Sequence, residues 1–315
     1  MAGKQGIKSL YSPVGYDRIG VLREGSTVSA SGWEILVAGH AGFCPGVKRA
    51  TDIAFRTACE AQKVVYTIGP LIHNPDVIAE LDRAGVKVID SVDDIDEGTV
   101  IVRSHGLPPD QIEKARAKGL TVIDATCPFV RKAQEYAHKL YQEGYLVVII
   151  GDAEHPETKS ILGHTGPGAR VAACTDDLHD LLHQERIGVV FQTTQYYLKC
   201  KHILAHLLMS STELKIYNTM CSTSWLRQEE AIELASEVDL MLVVGGKNSA
   251  NTKRLAEICH EQGVNCYLVE NAAEIDPLWF VNGIRKVGIT AGASTPKDSI
   301  EAVVARLNQL TTKSK

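Results

Sequence analysis

Val122-Ile-Asp-Ala-Thr-Cys127-Pro128 decides how this chain folds. A short β-branched run leads into small polar residues, a cysteine and a proline, and an amphipathic helical pattern follows. Proline suits the first turn of a helix, where its missing N–H would have no partner anyway, so the stretch reads as a strand-to-helix turn carrying the cysteine. The same order recurs in Ile35-Leu-Val-Ala-Gly-His-Ala-Gly-Phe-Cys44 and in Ile216-Tyr-Asn-Thr-Met-Cys221, each followed by a helix-like stretch. The three cysteines are spaced 83 and 94 residues apart.

Two further sets of strand ends lie between them. One carries glycine and then polar residues: Val65-Tyr-Thr-Ile-Gly69 before His73-Asn74, Val147-Val-Ile-Ile-Gly151 before His155-Pro-Glu157, and Leu242-Val-Val-Gly245 before Lys247-Asn-Ser249. The other ends in hydroxyl or imidazole residues: Val100-Ile-Val-Arg-Ser-His105, Val189-Val-Phe-Gln-Thr-Thr194 and Val287-Gly-Ile-Thr-Ala-Gly-Ala-Ser294. Strands alternating with helices imply a parallel α/β architecture. A period of roughly 80–95 residues is too long for a solenoid and fits three related small α/β domains. The expected domains are 45–126, 127–220 and 221–315, the last completed by a strand within 33–44, with 1–32 as a poorly patterned N-terminal extension. Open α/β sheets bind ligands at the carboxyl ends of their strands, beside helix N-termini. Three such domains facing one axis would bring nine strand ends to one cavity.

Composition narrows the class. Of the 315 residues 44% are hydrophobic and 23% charged, enough for a packed core and against disorder. A net charge of −5 gives no reason to expect nucleic acid or an acidic membrane as partner. Apolar runs such as Tyr145–Ile150 and Leu240–Val244 are far too short to cross a bilayer, and the N-terminus carries no apolar signal segment. The expected compartment is the reducing cytoplasm, where disulfides are disfavoured.

Eight cysteines then need an explanation, and no Cys-x-x-Cys pair occurs among them. Cys44, Cys127 and Cys221 recur at one repeat position. As equivalents they would meet at the axis, one thiolate short of a closed tetrahedral site, leaving a metal position open for substrate. A [4Fe–4S] cluster with one iron not held by cysteine fits that arrangement; buried core thiols and a three-cysteine zinc site are the alternatives. Cys59, Cys174, Cys200, Cys259 and Cys266 share no repeat position and read as buried core thiols in helical or loop stretches.

His73, His105, His155, Ser249, Asn251 and Ser294 fall at or just beyond strand ends, where hydrogen-bond donors and helix N-termini together suit an anion such as a diphosphate. His138, His164, His179, His183, His202, His206 and His260 read as capping or surface groups. Glu157 is either a partner for its helix dipole or a proton donor whose pKa burial raises. Thr193 and Thr194 either serve strand propensity or orient a substrate hydroxyl or the Glu157 proton relay.

The ordered motifs Gly42-Phe-Cys-Pro-Gly-Val47, His73-Asn74, Ser104-His-Gly106, Asp124-Ala-Thr-Cys-Pro128, His155-Pro-Glu157, Gln192-Thr-Thr194, Arg227-Gln228, Lys247-Asn-Ser249 with Asn251, and Thr290-Ala-Gly-Ala-Ser294 resemble the 4-hydroxy-3-methylbut-2-enyl diphosphate reductase family. Each motif is weak alone; the ordered set is specific. The resemblance implies a trefoil of three α/β domains around a central [4Fe–4S] cluster and the last step of the non-mevalonate isoprenoid route. In that step two electrons and two protons remove an allylic hydroxyl as water, giving isopentenyl and dimethylallyl diphosphates. It further implies Cys44, Cys127 and Cys221 as cluster ligands and His73, His105, Ser249, Asn251 and Ser294 as diphosphate binders. His155 would contact both ends of the substrate, Glu157 would carry the proton relay with Thr193, and reduced ferredoxin or flavodoxin would supply the electrons. The chain departs from the family at Ala250, where a second serine is usual, and at Ser222-Thr-Ser-Trp-Leu226, where a threonine's role passes to Ser224 or to no residue. A non-redox cluster lyase and a cluster-based sensor are the competing readings: the first would turn over without an electron donor, the second would not turn over at all.

Overall fold

Strand runs such as Leu240–Val244, buried at every position, need helices on both faces of their sheet, and a parallel sheet supplies them. The structure is a computed structural model that describes residues 27–28, 33–181, 184–281 and 283–312. It opens with strands β1 (Thr27–Val28) and β2 (Glu34–Val37). The first repeat then runs α1 (Pro45–Glu60), β3 (Val65–Ile68), α2 (Pro75–Arg83), β4 (Val86–Ile89), β5 (Thr99–Val102), α3 (Pro109–Ala117) and β6 (Thr121–Asp124). The second runs α4 (Pro128–Gln142), β7 (Leu146–Ile150), α5 (Pro156–Leu162), β8 (Arg170–Ala172), β9 (Gln184–Phe191), α6 (Tyr197–Ser210) and β10 (Ser211–Ile216). The third runs α7 (Ser222–Ala235), β11 (Leu240–Val244), α8 (Ala250–Glu261), β12 (Asn265–Val269), β13 (Lys286–Ala291) and α9 (Lys297–Thr312).

The three sheets share one strand order, β4-β3-β5-β6, β8-β7-β9-β10 and β12-β11-β13-β2. Each reads as an edge strand, a glycine strand, a hydroxyl strand and a cysteine strand, all parallel. The edge strands β4, β8 and β12 are a fourth recurring set that the sequence patterns did not single out. Sheet three is closed by β2, whose Ile35 pairs with Val287, and β1 adds an antiparallel edge through Thr27 and Ile35. The rest of the 1–32 extension and His183 lie outside the described residues. Successive residues of a strand feed opposite apolar layers: Leu240, Leu242 and Val244 pack on one side of their sheet, Met241 and Val243 on the other.

In each sheet the chain leaves the glycine strand for the edge strand on one side and returns to the hydroxyl strand on the other. The sequence direction therefore reverses between β3 and β5, β7 and β9, and β11 and β13. Such a switch point opens a crevice at the carboxyl ends of the strands. Proline begins α1 to α5, as the turn signals predicted, with Pro108 serving as the N-cap of α3 and Pro109 as its first residue.

Candidate active site

One cavity receives the strand ends of all three sheets. Each cysteine is the N-cap of a helix, Cys44 of α1, Cys127 of α4 and Cys221 of α7. Each donates its backbone N–H to the carbonyl at the end of the neighbouring hydroxyl strand: Cys44 to Ala293 at 3.1 Å, Cys127 to Ser104 at 3.0 Å, Cys221 to Thr193 at 2.9 Å. The threefold repeat thus extends to individual hydrogen bonds. Helix N-termini present free N–H groups and positive dipole, which stabilise a thiolate. Val47 N–H donates to the Cys44 sulfur at 3.4 Å, and Thr223 Oγ1 lies 2.9 Å from the Cys221 sulfur.

The three thiols line the cavity together. Burial pushes the Cys127 thiol up to about 11, opposed by the N–H groups of Phe129 and Val130 and reinforced by Cys44 and Cys221. Gly46 marks how close they come: a Cβ there would sit 2.6 Å from the Cys127 sulfur and 3.8 Å from that of Cys44. Among the described residues the group tight enough to share a single ion is His73, His105 and His155, not the thiols. Three converging thiols too spread for one ion suit a polynuclear iron–sulfur group better than zinc, which draws its sulfurs to about 2.3 Å from one centre. The donor set therefore fits such a cluster.

Beside the thiols stand three imidazoles, with ring centroids 4.7 Å (His73–His105), 5.7 Å (His73–His155) and 5.4 Å (His105–His155) apart. Burial holds all three below the ordinary histidine range. Arg103 and Lys253 add to this at His73, while His73, His155 and Arg103 add to it at His105; His155 falls to about 4. The rings are neutral at pH 7 and face a field made positive by Arg103 and Lys253, which favours an anion over a metal dication. His73 Nε2, His105 Nδ1 and both side-chain polar atoms of Asn251 are buried without a protein partner. Leaving such groups unpaired costs on the order of 1–3 kcal/mol each, so their convergence calls for a polar ligand. His155 and Ser249 are N-caps of α5 and α8, and the Ser294 hydroxyl donates to the His73 carbonyl at 3.1 Å.

Glu157 joins this cavity from the first turn of α5 and is 2% exposed. Its carboxylate accepts from the Thr193 backbone N–H at 2.6 Å and from the Thr193 hydroxyl at 3.0 Å. Burial outweighs these two bonds and raises its pKa to about 7, so it carries a proton through much of the neutral range.

Every residue singled out above for the site faces this one cavity, including Ser224 on α7. Sequence reasoning missed Thr223, which sits against the Cys221 sulfur, and Arg103 and Lys253, which set the charge at the histidines. Arg103 directly precedes Ser104 on a strand end already singled out, and that position was the available signal. Of the remaining cysteines, Cys59 and Cys174 are exposed rather than buried, and Cys266 lies on strand β12 rather than in a helix or loop.

The profile of the family described as LytB protein matches residues 35–308. A relative from Pelobacter propionicus, named 4-hydroxy-3-methylbut-2-enyl diphosphate reductase, is 47% identical over 89% of this chain and 99% of its own. One of the same name from Geobacter sulfurreducens is 45% identical over 90% and 99%. A solved structure titled (E)-4-hydroxy-3-methyl-but-2-enyl diphosphate reductase, the terminal enzyme of the non-mevalonate pathway, is 45% identical. It superposes with a TM-score of 0.65 over 87% of this chain and 99% of its own. The E-1-hydroxy-2-methyl-but-2-enyl-4-diphosphate reductase from Plasmodium falciparum, 25% identical, superposes with a TM-score of 0.81 over 86% of each chain. With three α/β sheets in common and matches across nearly the whole length, the chain belongs to the LytB family of 4-hydroxy-3-methylbut-2-enyl diphosphate reductases.

Proposed function

We propose that this oxidoreductase converts (E)-4-hydroxy-3-methylbut-2-enyl diphosphate, with two electrons and two protons, to isopentenyl diphosphate or dimethylallyl diphosphate and water. This is the last step of the non-mevalonate isoprenoid pathway. Cys44, Cys127 and Cys221 would hold a [4Fe–4S] cluster, which when bound supplies electrons and an iron position open to the substrate. The observation that carries the reading is the meeting in one cavity of those three thiols, a Glu157 whose pKa burial raises to about 7, and a set of unpaired polar groups.

The protein's own groups divide the work. His73, His105, Ser249, Asn251 and Ser294 hold the diphosphate, helped by the N-termini of α5 and α8 and by the positive field of Arg103 and Lys253. Fixing the diphosphate end places the hydroxyl end at the thiols and leaves binding energy to orient it. His155, a member of the imidazole cluster whose Nδ1 accepts from the Glu157 N–H at 3.2 Å, contacts both ends of the substrate. Glu157 delivers a proton to the departing hydroxyl, and Thr193 holds both of its oxygens in place for the transfer. Ser224 faces the same cavity and offers a hydroxyl to the substrate in place of the family's threonine, while Ala250 withdraws one from the diphosphate end.

Electrons would come singly from reduced ferredoxin or flavodoxin in the reducing cytoplasm, where eight free thiols are stable. Among the described residues no helix is long and apolar enough to cross a membrane. The test is anaerobic purification followed by iron and sulfide analysis, visible and EPR spectra, and turnover with dithionite-reduced viologen. A brown protein that consumes viologen electrons only with the allylic diphosphate is expected. A colourless protein without iron, or turnover that needs no electron donor, overturns the reading.

A further inference from the structure

Arg227 is a buried cation that neither diphosphate binding nor proton delivery employs. It lies on α7, six residues beyond Cys221, and is 3% exposed. Its Nε donates to the His40 carbonyl at 2.8 Å, Nη2 to the Gly42 carbonyl at 2.8 Å, and Nη1 to the Thr223 carbonyl at 3.3 Å. His40 and Gly42 belong to the turn that carries Cys44, and Thr223 to the turn that carries Cys221. One helical turn further along α7, Glu230 accepts from the backbone N–H groups of Gly39 at 2.6 Å and His40 at 2.9 Å. The segment from Gly39 to Gly42 is therefore gripped from α7 at four backbone groups. Gly42 itself is held at φ +99°, where any Cβ would meet Thr295 O and Ile300 Cδ1 at 3.2 Å.

The repeat supplies a comparison. Arg49, on the helix that follows Cys44, donates to the Thr126 carbonyl at 3.1 Å and so reaches the turn carrying Cys127 in the same manner. Arg49 is exposed, so solvent screens its charge, whereas Arg227 is enclosed. Arg227's hydrogen-bond partners are neutral carbonyls, which fix the guanidinium without cancelling its charge. The side chains whose negative charge would act on it are Cys44 and Cys221, which belong to the turns it grips, then Glu230. Both oxygens of Glu230 are directed at backbone N–H groups.

We propose that Arg227 is a positioning residue that fixes the turns of Cys44 and Cys221 and, by placing a buried positive charge beside their sulfurs, raises the reduction potential of the cluster they hold. This rests on the cluster reading above. Each electron passed from the donor adds one negative charge to the cluster. A fixed cation in surroundings of low dielectric constant favours that reduced form. Glu230 opposes it, and Arg49 has little influence.

The test is a mediated dithionite titration of the anaerobic holoenzyme, read by EPR of the reduced cluster, on wild type, Arg227→Gln, Arg227→Lys, Glu230→Gln and Arg49→Gln. Arg227→Gln is expected to lower the reduced-to-oxidised ratio at a fixed potential at least tenfold, a midpoint about 59 mV more negative for one electron. Arg227→Lys keeps most of the wild-type potential, Glu230→Gln moves it the other way, and Arg49→Gln leaves it in place. An Arg227→Gln protein with full iron and the wild-type midpoint overturns the inference, as does a lysine variant that falls as far as the glutamine one. Should Arg227→Gln fail to take up iron, Glu230→Gln decides, because an unchanged or more negative midpoint there also overturns it. Wild type without iron would instead sink the cluster reading, which keeps the two failures apart.

Discussion

Replacing Glu157 by Gln tests the proton-donor role with almost no change of shape. A glutamine oxygen still accepts from the Thr193 N–H, now at 2.6 Å from Glu157, and its amide can donate to the Thr193 hydroxyl, so the turn stays in place. What disappears is the ionisable proton. A carboxyl moved by burial from 4.5 to about 7 binds a proton more tightly in the folded state. At about 1.4 kcal/mol per pH unit, that is on the order of 3 kcal/mol. The sign follows from proton linkage: the folded chain holds the extra proton, so this stability is full below about 4.5 and lost as the pH rises through about 7. Wild type should therefore lose up to about 3 kcal/mol relative to the glutamine variant between pH 4.5 and 7.5, measured by anaerobic urea unfolding followed by circular dichroism. In viologen-coupled turnover the variant should keep its KM and lose about 10²–10⁴-fold in kcat, the usual contribution of a positioned acid. Wild-type kcat should decline on the alkaline side with an apparent pKa near 7, and the variant should lack that limb. A variant with wild-type kcat, or with the alkaline limb intact, refutes the assignment.

Cys127→Ser should lose bound iron and turnover together, while Cys174→Ser, at an exposed site that does not line the cavity, should retain both by iron analysis and assay. Gly46→Ala brings a methyl to 2.6 Å from the Cys127 sulfur, so iron per chain should fall well below wild type even where circular dichroism shows a folded protein. Asn251→Ala removes two unpaired polar atoms from the anion site. Charged hydrogen bonds of about 1.5–3 kcal/mol predict a KM raised roughly 10–100-fold, with weaker inhibition by inorganic diphosphate and little change in the cluster spectrum.

Much of this architecture could be read from patterns local to the chain. Pro45, Pro128 and Pro156 each announce a helix start, and apolar runs before them announce a strand, because both signals act over a few residues. The edge strands were harder: Arg170–Ala172 is only three residues long, and Val86–Ile89 is four residues interrupted by Lys87 with Val88 also exposed, so neither stands out from a loop. Thr223 escaped notice because nothing in Ser222-Thr-Ser-Trp-Leu226 says which hydroxyl turns toward sulfur; the phase of α7 about its axis settles that. Cys59 and Cys174 read as buried core thiols but are exposed, because exposure depends on which helix face or loop edge meets solvent.

The sequence by itself determined that strands end in cysteine, glycine and hydroxyl sets three times over, since local propensity and turn chemistry are written residue by residue. That a strand within 33–44 completes the last domain was already legible; only the tertiary structure decided its partner and register, β2 against β13 with Ile35 opposite Val287. It alone decided that Glu157 is dry enough to hold a proton and that Arg227 is enclosed while Arg49 is not. Burial and electrostatic field are sums over neighbours distant in sequence, and they exist only once the three sheets have packed around their common cavity.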